Sequence, residues 1–175
     1  MQEVLDIILP KILPPNTQFL CIPHEGKHDL ARSIPRKLRA WQMPDVQFVV
    51  VHDQDSMDCL TLKAQLRALC REGGRPDTLV RIVCRDLESW FLGDLHAVEK
   101  AFQVPGLARK QKNRKFRQPD ELNNATQELK RLVKRYQKRS GARRIAPYLD
   151  LEGGNRSRSF GVFLNSLYGI CRSST

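Results

Sequence analysis

The sequence predicts an α/β domain, a mostly parallel sheet flanked by helices, with a basic helical C-terminal part. Three observations predict it. The runs Val46-Gln-Phe-Val-Val-Val51 and Leu79-Val-Arg-Ile-Val-Cys84 are short, β-branched and largely apolar, as strands covered on both faces must be. A stretch of helical period lies between them, and strand–helix–strand order builds a parallel pair through a right-handed crossover. A chain of 175 residues with 41% hydrophobic content is long enough to bury one core.

The elements follow in order. Residues 3–13 carry apolar positions at helical spacing, and Pro10 is expected to bend or end that helix. Pro14-Pro15-Asn16 breaks the chain, and Gln18-Phe-Leu-Cys-Ile22 reads as a short buried strand. Helical period returns over residues 30–41, interrupted at Pro35. The strand at 46–51 ends in His52-Asp53-Gln54-Asp55-Ser56. A helix over 57–71 then places Cys59, Leu62, Leu66 and Leu69 on one face and stops at Gly73-Gly74. The strand at 79–84 leads into Asp86-Leu-Glu-Ser-Trp-Phe-Leu92, where Trp90 and Phe91 read as core, and a helix restarts at Gly93-Asp94 and runs through Phe102.

Residues 1–104 form the α/β core of a single domain, and 105–175 a basic helical extension. Within the extension, 109–117 reads as an exposed basic loop. Residues 122–136 read as a helix with Leu122, Ala125, Leu129, Leu132, Val133 and Tyr136 opposite a cationic face. Asn155-Arg-Ser-Arg-Ser-Phe160 opens a last apolar helix through Leu167.

A net charge of +11 and an isoelectric point near 9.8 cost self-repulsion that a polyanion relieves, so nucleic acid is the leading partner class. The absence of a long apolar run disfavours a membrane. Five cysteines are scattered without a C-x-x-C pair, the pattern of reduced core thiols. With no leader ahead of the first structured segment, a cytoplasmic protein is expected.

Asp53 and Asp55 carry first weight as chemistry-bearing residues. Ligands of open parallel sheets bind beyond the carboxyl ends of strands, and alternate residues leaving a strand point the same way. A D-x-D there aims two carboxylates at one point, as Mg2+ requires of its protein ligands, with Mn2+ an alternative. The structural alternative is that Asp55 or Ser56 caps the next helix. One strand later, Asp86 is placed as a helix N-cap, and Glu88 either gains from the helix dipole or joins the metal. Glu25 is a further candidate acid, and Asp58 a candidate supporting group. Candidate phosphate-binding residues are Lys112, Arg114, Lys115, Lys134, Arg135, Arg143, Arg144, Asn155, Arg156 and Arg158, against the plainer reading of a solvated charged face.

Several runs resemble a bacterial family, the domain of unknown function numbered 4276, which is Toprim-like. They are Leu9-Pro-Lys-Ile-Leu13, Gly26-Lys-His-Asp-Leu30, Asp53-Gln-Asp-Ser-Met-Asp-Cys59, Leu87-Glu-Ser-Trp-Phe-Leu-Gly-Asp94, Ala142-Arg-Arg-Ile-Ala-Pro147 and Asn155-Arg-Ser-Arg-Ser-Phe160. The resemblance implies a Toprim-type fold with a magnesium-binding core, and a partner ATPase in anti-phage defence. Carried over, Asp53 and Asp55 match the D-x-D, and Glu88 the glutamate of the L-E-x-W run. It also implies an earlier strand with an acidic motif. Met1-Gln-Glu-Val reads as part of the helix after it, so the expectation is either a truncated or misassigned start or a copy without that carboxylate. Glu25, on the next strand, is not that glutamate.

These readings support three functions. The first is a Mg2+-dependent phosphodiesterase or nuclease on DNA or RNA, using Asp53, Asp55 and Glu88. The second is a non-catalytic nucleic-acid-binding or regulatory module. The third is an enzyme acting on a phosphorylated small molecule such as a nucleotide.

Overall fold

The protein is seen in a computed structural model that describes residues 1–173. Its helices are α1 (Gln2–Ile12), α2 (Lys27–Ala40), α3 (Cys59–Glu72), α4 (Glu88–Leu92), α5 (Leu95–Phe102), α6 (Arg114–Arg117), α7 (Ala125–Leu132), α8 (Lys138–Ile145) and α9 (Arg158–Ser173). Strands β1 (Val49–Asp53) and β2 (Leu79–Val83) pair in parallel, Val49 opposite Leu79 and Asp53 opposite Val83. Single 3-10 turns at Ala108–Lys112, Pro119–Glu121 and Ala146–Tyr148 link the later helices.

The two-residue period of a strand sorts β1 between two cores. Val49 and Val51 pack into the larger core, built on Val4 and Ile8 of α1, Trp90 and Phe91 of α4, and Phe160 and Phe163 of α9. Val50 and Ile82 face the other way, onto Ile34 and Leu38 of α2 and Leu62 and Leu66 of α3. The sheet is therefore covered on both faces, which explains why its strands carry so few polar residues. Gly73 lets α3 end against α2, since a Cβ there would stand 2.9 Å from Leu38 Cβ and 3.1 Å from Pro35 Cα.

Several expectations change. The expected strand at 18–22 is extended chain without a ladder, and Phe19, Leu20 and Ile22 are exposed, Leu20 to 69%. β-prone composition identifies a segment that suits a sheet, but a strand exists only where a second backbone pairs with it. Neither proline ends its helix. Pro10 lies on the exposed side of α1, where the carbonyl deprived of its hydrogen bond can reach water, and α1 runs on to Ile12. Pro35 sits inside α2, which continues to Ala40. The 109–117 segment is a 3-10 turn followed by α6, because Phe116 is buried and pins it. The helix expected over 122–136 stops at Leu132, and Tyr136 enters the core from the turn beyond it. Cys21, Cys59, Cys70 and Cys84 are unbridged thiols, and among the described residues no helix is long and apolar enough to cross a membrane.

Trp90 and Phe91 are wholly buried, in keeping with their reading as core. The Trp90 ring lies 4.8 Å from that of Phe160 and 5.2 Å from that of Phe163, and its Nε1 donates to Ser159 Oγ at 3.0 Å. This contact ties α4 to α9. Trp90→Ala should therefore cost about 3–5 kcal/mol, read as a lowered urea midpoint in circular dichroism. A cost under about 1 kcal/mol would show that the two helices are held by something else.

Candidate active site

The carboxyl ends of β1 and β2 are cross-linked by the turns that leave them. Asp55 adopts a left-handed backbone (φ 52°), as does Arg85 (φ 63°), and the Asp55 amide donates to Arg85 O at 2.9 Å. Aspartate tolerates that conformation better than most residues. The Gln54 side chain spans both turns: its Nε2 donates to Met57 O at 2.9 Å, and its Oε1 accepts from the Arg85 amide at 3.2 Å. Asp53 is thus the last strand residue, and a turn, not strand alternation, brings Asp55 near it.

Asp53 feels the charge of three other carboxylates here. Asp53 Oδ1 is buried and has no hydrogen-bond partner. Burial pushes the Asp53 carboxyl up to about 7, with the negative charges of Asp55, Glu88 and Asp86 adding to the rise and the Met1 ammonium opposing it. Asp86 is raised as well, chiefly by burial and in part by Glu88, while its hydrogen bond from Thr126 and the charge of Lys138 act the other way. Its Oδ2 accepts from Thr126 Oγ1 at 2.9 Å, and its Oδ1 is buried without a partner. Glu88, the first residue of α4, is 3% exposed and accepts a 2.8 Å hydrogen bond from the Tyr136 hydroxyl at Oε1. Burial and the neighbouring Glu88 charge push the Tyr136 phenol well above its ordinary value, so it stays a donor. Ser89 Oγ is a further buried polar atom without a partner.

Two expected roles change. Asp86 does not cap a helix with its side chain: Leu87 occupies the N-cap of α4, and the Asp86 carboxyl bonds Thr126 instead. Asp58, not Asp55 or Ser56, caps α3, accepting from the Thr61 amide and Thr61 Oγ1 at 2.8 Å each. Glu25 lies exposed in the turn before α2, and its charge is not among those acting on Asp53. Sequence reasoning passed over Thr126, Ser89 and Lys138 as site residues, and it left Tyr136 on an apolar helix face. Chemistry at those positions depends on a long-range contact that no local pattern encodes.

The basic candidates divide by what they touch. Lys115 pairs with Glu128 at 2.6 Å, and Arg135 and Arg144 bond the Phe102 and Ala101 carbonyls while stacking on the Phe102 ring. Asn155 is fully engaged: its Nδ2 donates to Trp90 O at 2.9 Å and its Oδ1 accepts from the Ser157 amide at 2.8 Å. The N-terminus of α9 is also filled, since Asp120 accepts from Ser157 Oγ and the Ser159 amide at 2.6 Å each. Lys112, Arg114, Lys134, Arg143, Arg156 and Arg158 are exposed.

A family model for a domain of unknown function, DUF4276, matches residues 1–168. The chain belongs to the DUF4276 family. No curated protein and no solved structure matches it. In this family member, among the described residues, no group of three or more His, Cys, Asp or Glu side chains is disposed to enclose a metal ion by itself. A hydrated Mg2+ asks less, one or two carboxylates with water and substrate oxygens completing the octahedron. The orphaned, buried Asp53 Oδ1 fits that demand.

The raised Asp53 carboxyl sets the sign of a pH effect. Its folded value near 7 exceeds the ordinary carboxylate value near about 4, so the folded state holds the proton more tightly. That contribution is complete below the unfolded value and is lost as pH rises through the folded one. Asp53→Asn should match wild type in urea unfolding near about pH 4 and exceed it by on the order of 2–4 kcal/mol near about pH 8. Equal stability of the two proteins at both pH values would contradict the burial of an unpaired carboxyl.

Proposed function

We propose that this protein is a Toprim-type, divalent-metal-dependent phosphodiesterase acting on nucleic acid. The observation that carries the reading is the unpartnered, buried oxygen of Asp53 amid the charges of Asp55, Asp86 and Glu88. Burial and the neighbouring negative charges hold a proton on Asp53, and a cation at that oxygen would offset both. Asp53 with one further acid, Asp55 or Glu88, would hold a hydrated Mg2+ or Mn2+, water and substrate oxygens completing the octahedron. When bound, that ion supplies Lewis acidity to a phosphate oxygen and lowers the pKa of a water.

The chain's own residues do the rest. Tyr136 fixes the rotamer of Glu88 by hydrogen bonding one of its oxygens. Thr126 does the same for Asp86. Lys138, whose charge reaches Asp86, brings a cation from α8 to the rim of the acids, where a phosphodiester would need one. The exposed Lys112, Arg114, Lys134 and Arg143 supply non-specific backbone contacts whose strength falls with salt.

The absence of three converging ligands among the described residues favours a second reading, a nucleic-acid-binding module without cleavage. One set of assays separates them. With Mg2+ or Mn2+, the protein should nick plasmid or oligonucleotide, and Asp53→Ala should lower the rate by about 10²-fold or more while binding in chelator stays intact. Binding without cleavage under all metals would leave the module. A nucleotide turned over without any polymer cut would point to a small-molecule phosphohydrolase.

Metal itself gives a readout independent of turnover. Mg2+ at about 100 times its Kd should stabilise wild type by about 2.7 kcal/mol, and the gain should vanish in Asp53→Asn. A gain that survives the substitution would place the ion elsewhere.

A further inference from the structure

A second site lies at the other end of α4. A cavity of about 410 Å³ is lined by Gly93, Asp94, His96, Lys100, Tyr148, Asp150 and Arg156, among others. Its volume falls in the range of small-ligand sites. His96 and Lys100 stand one turn apart on α5, so both reach the same side of that helix. Both are exposed, as is Arg156, and none of the three belongs to an ion pair among the described residues.

The acids in the wall are already committed. Asp94 Oδ1 accepts from the Ala97 amide at 2.9 Å, and its Oδ2 accepts from the Asp150 amide at 2.8 Å. Asp150 Oδ1 accepts from the Glu152 amide at 2.8 Å and the Gly154 amide at 3.0 Å. Of these four carboxylate oxygens, Asp150 Oδ2 alone accepts no hydrogen bond among the described residues. The groups still seeking partners are thus two permanent cations, an imidazole, one carboxylate oxygen and the Tyr148 ring, which is 49% exposed.

The wall is rigid where it matters. The Arg156 amide donates to Gly93 O at 2.8 Å, and Asn155 is clamped on Trp90 O at 2.9 Å. Gly93 is required for that approach, since a Cβ there would come within 2.6 Å of the Ser157 nitrogen and closer still to Asn155 Oδ1. Arg156 is therefore delivered to the cavity by a fastened loop, and the fastening costs nothing further when a ligand arrives.

We infer that this cavity binds a nucleoside 5′-phosphate. Lys100, Arg156 and His96 take the phosphate, where charge-assisted donors are strongest. Tyr148 offers a flat face on which any base can stack. Asp150 Oδ2 accepts from a sugar hydroxyl. The phosphate-bearing nucleotide has two sources, a free mononucleotide or one unit of a single strand. The second deepens the proposed function and rests on it; the first does not.

The test uses the full chain in chelator, so that cleavage plays no part. Adenosine 5′-monophosphate and adenosine are titrated by calorimetry, and each is then used to compete with a fluorescein-labelled single-stranded oligonucleotide in anisotropy. The monophosphate should bind and adenosine should bind at least about ten-fold more weakly, with Lys100→Ala and Arg156→Ala each losing about ten-fold. Tyr148→Ala should weaken binding and Tyr148→Phe retain it, since stacking needs the ring alone. These positions are exposed, and circular dichroism should show all four variants folded as wild type. Competition with the oligonucleotide assigns the site to a strand; monophosphate binding without competition assigns it to a free nucleotide. The inference is overturned if the monophosphate does not bind, or binds Lys100→Ala and Arg156→Ala as it binds wild type. A protein that binds here yet never cleaves would refute the proposed function and leave this site standing.

Discussion

A single buried carboxyl organises this molecule. Asp53 ends β1 with one oxygen lacking any partner, and three other acids contribute repulsion from adjoining segments. A protein interior strengthens like-charge repulsion and withholds the water that would relieve it. The arrangement costs stability near neutral pH unless a proton or a metal ion is supplied. Natural chains keep such arrangements where function needs them.

Much of the surrounding structure serves to hold that cluster in place. β1 and β2 are locked by parallel pairing and by Gln54, which bridges the two turns beyond them. α4 starts at Glu88 and is anchored within three residues by Trp90, whose ring and indole N–H engage α9. From the far end of the same short helix, Gly93 and Asn155 fasten the loop that carries Arg156. Acid cluster and basic cavity are therefore positioned by one element of five residues.

The central part of the fold was legible because the strands at 49–53 and 79–83 are covered by a core on each face, which favours runs of apolar, β-branched residues such as Val49-Val-Val51. Asp53 was legible for a related reason: it is the first acid after an unbroken apolar run. Asp86 was misread because its place before a helix is also where caps occur, and Leu87 takes that position instead. The 18–22 segment was misread because its composition is that of a strand while its pairing is not a local property. α8 carries Arg and Lys through most of its exposed surface and buries only Gly141, Ala142 and Ile145, too small an apolar face to announce a helix. Gly141 itself is needed because a side chain there would run into the Tyr136 ring, a constraint set by a residue five positions away and by Glu88 beyond it.

The most direct test of the account is a carboxyl-carbon NMR titration of Asp53, without metal and with Mg2+. The account predicts a midpoint near 7 without metal, displaced downward once the ion neutralises the cluster. A midpoint at the ordinary carboxylate value near about 4, unmoved by Mg2+, would contradict it.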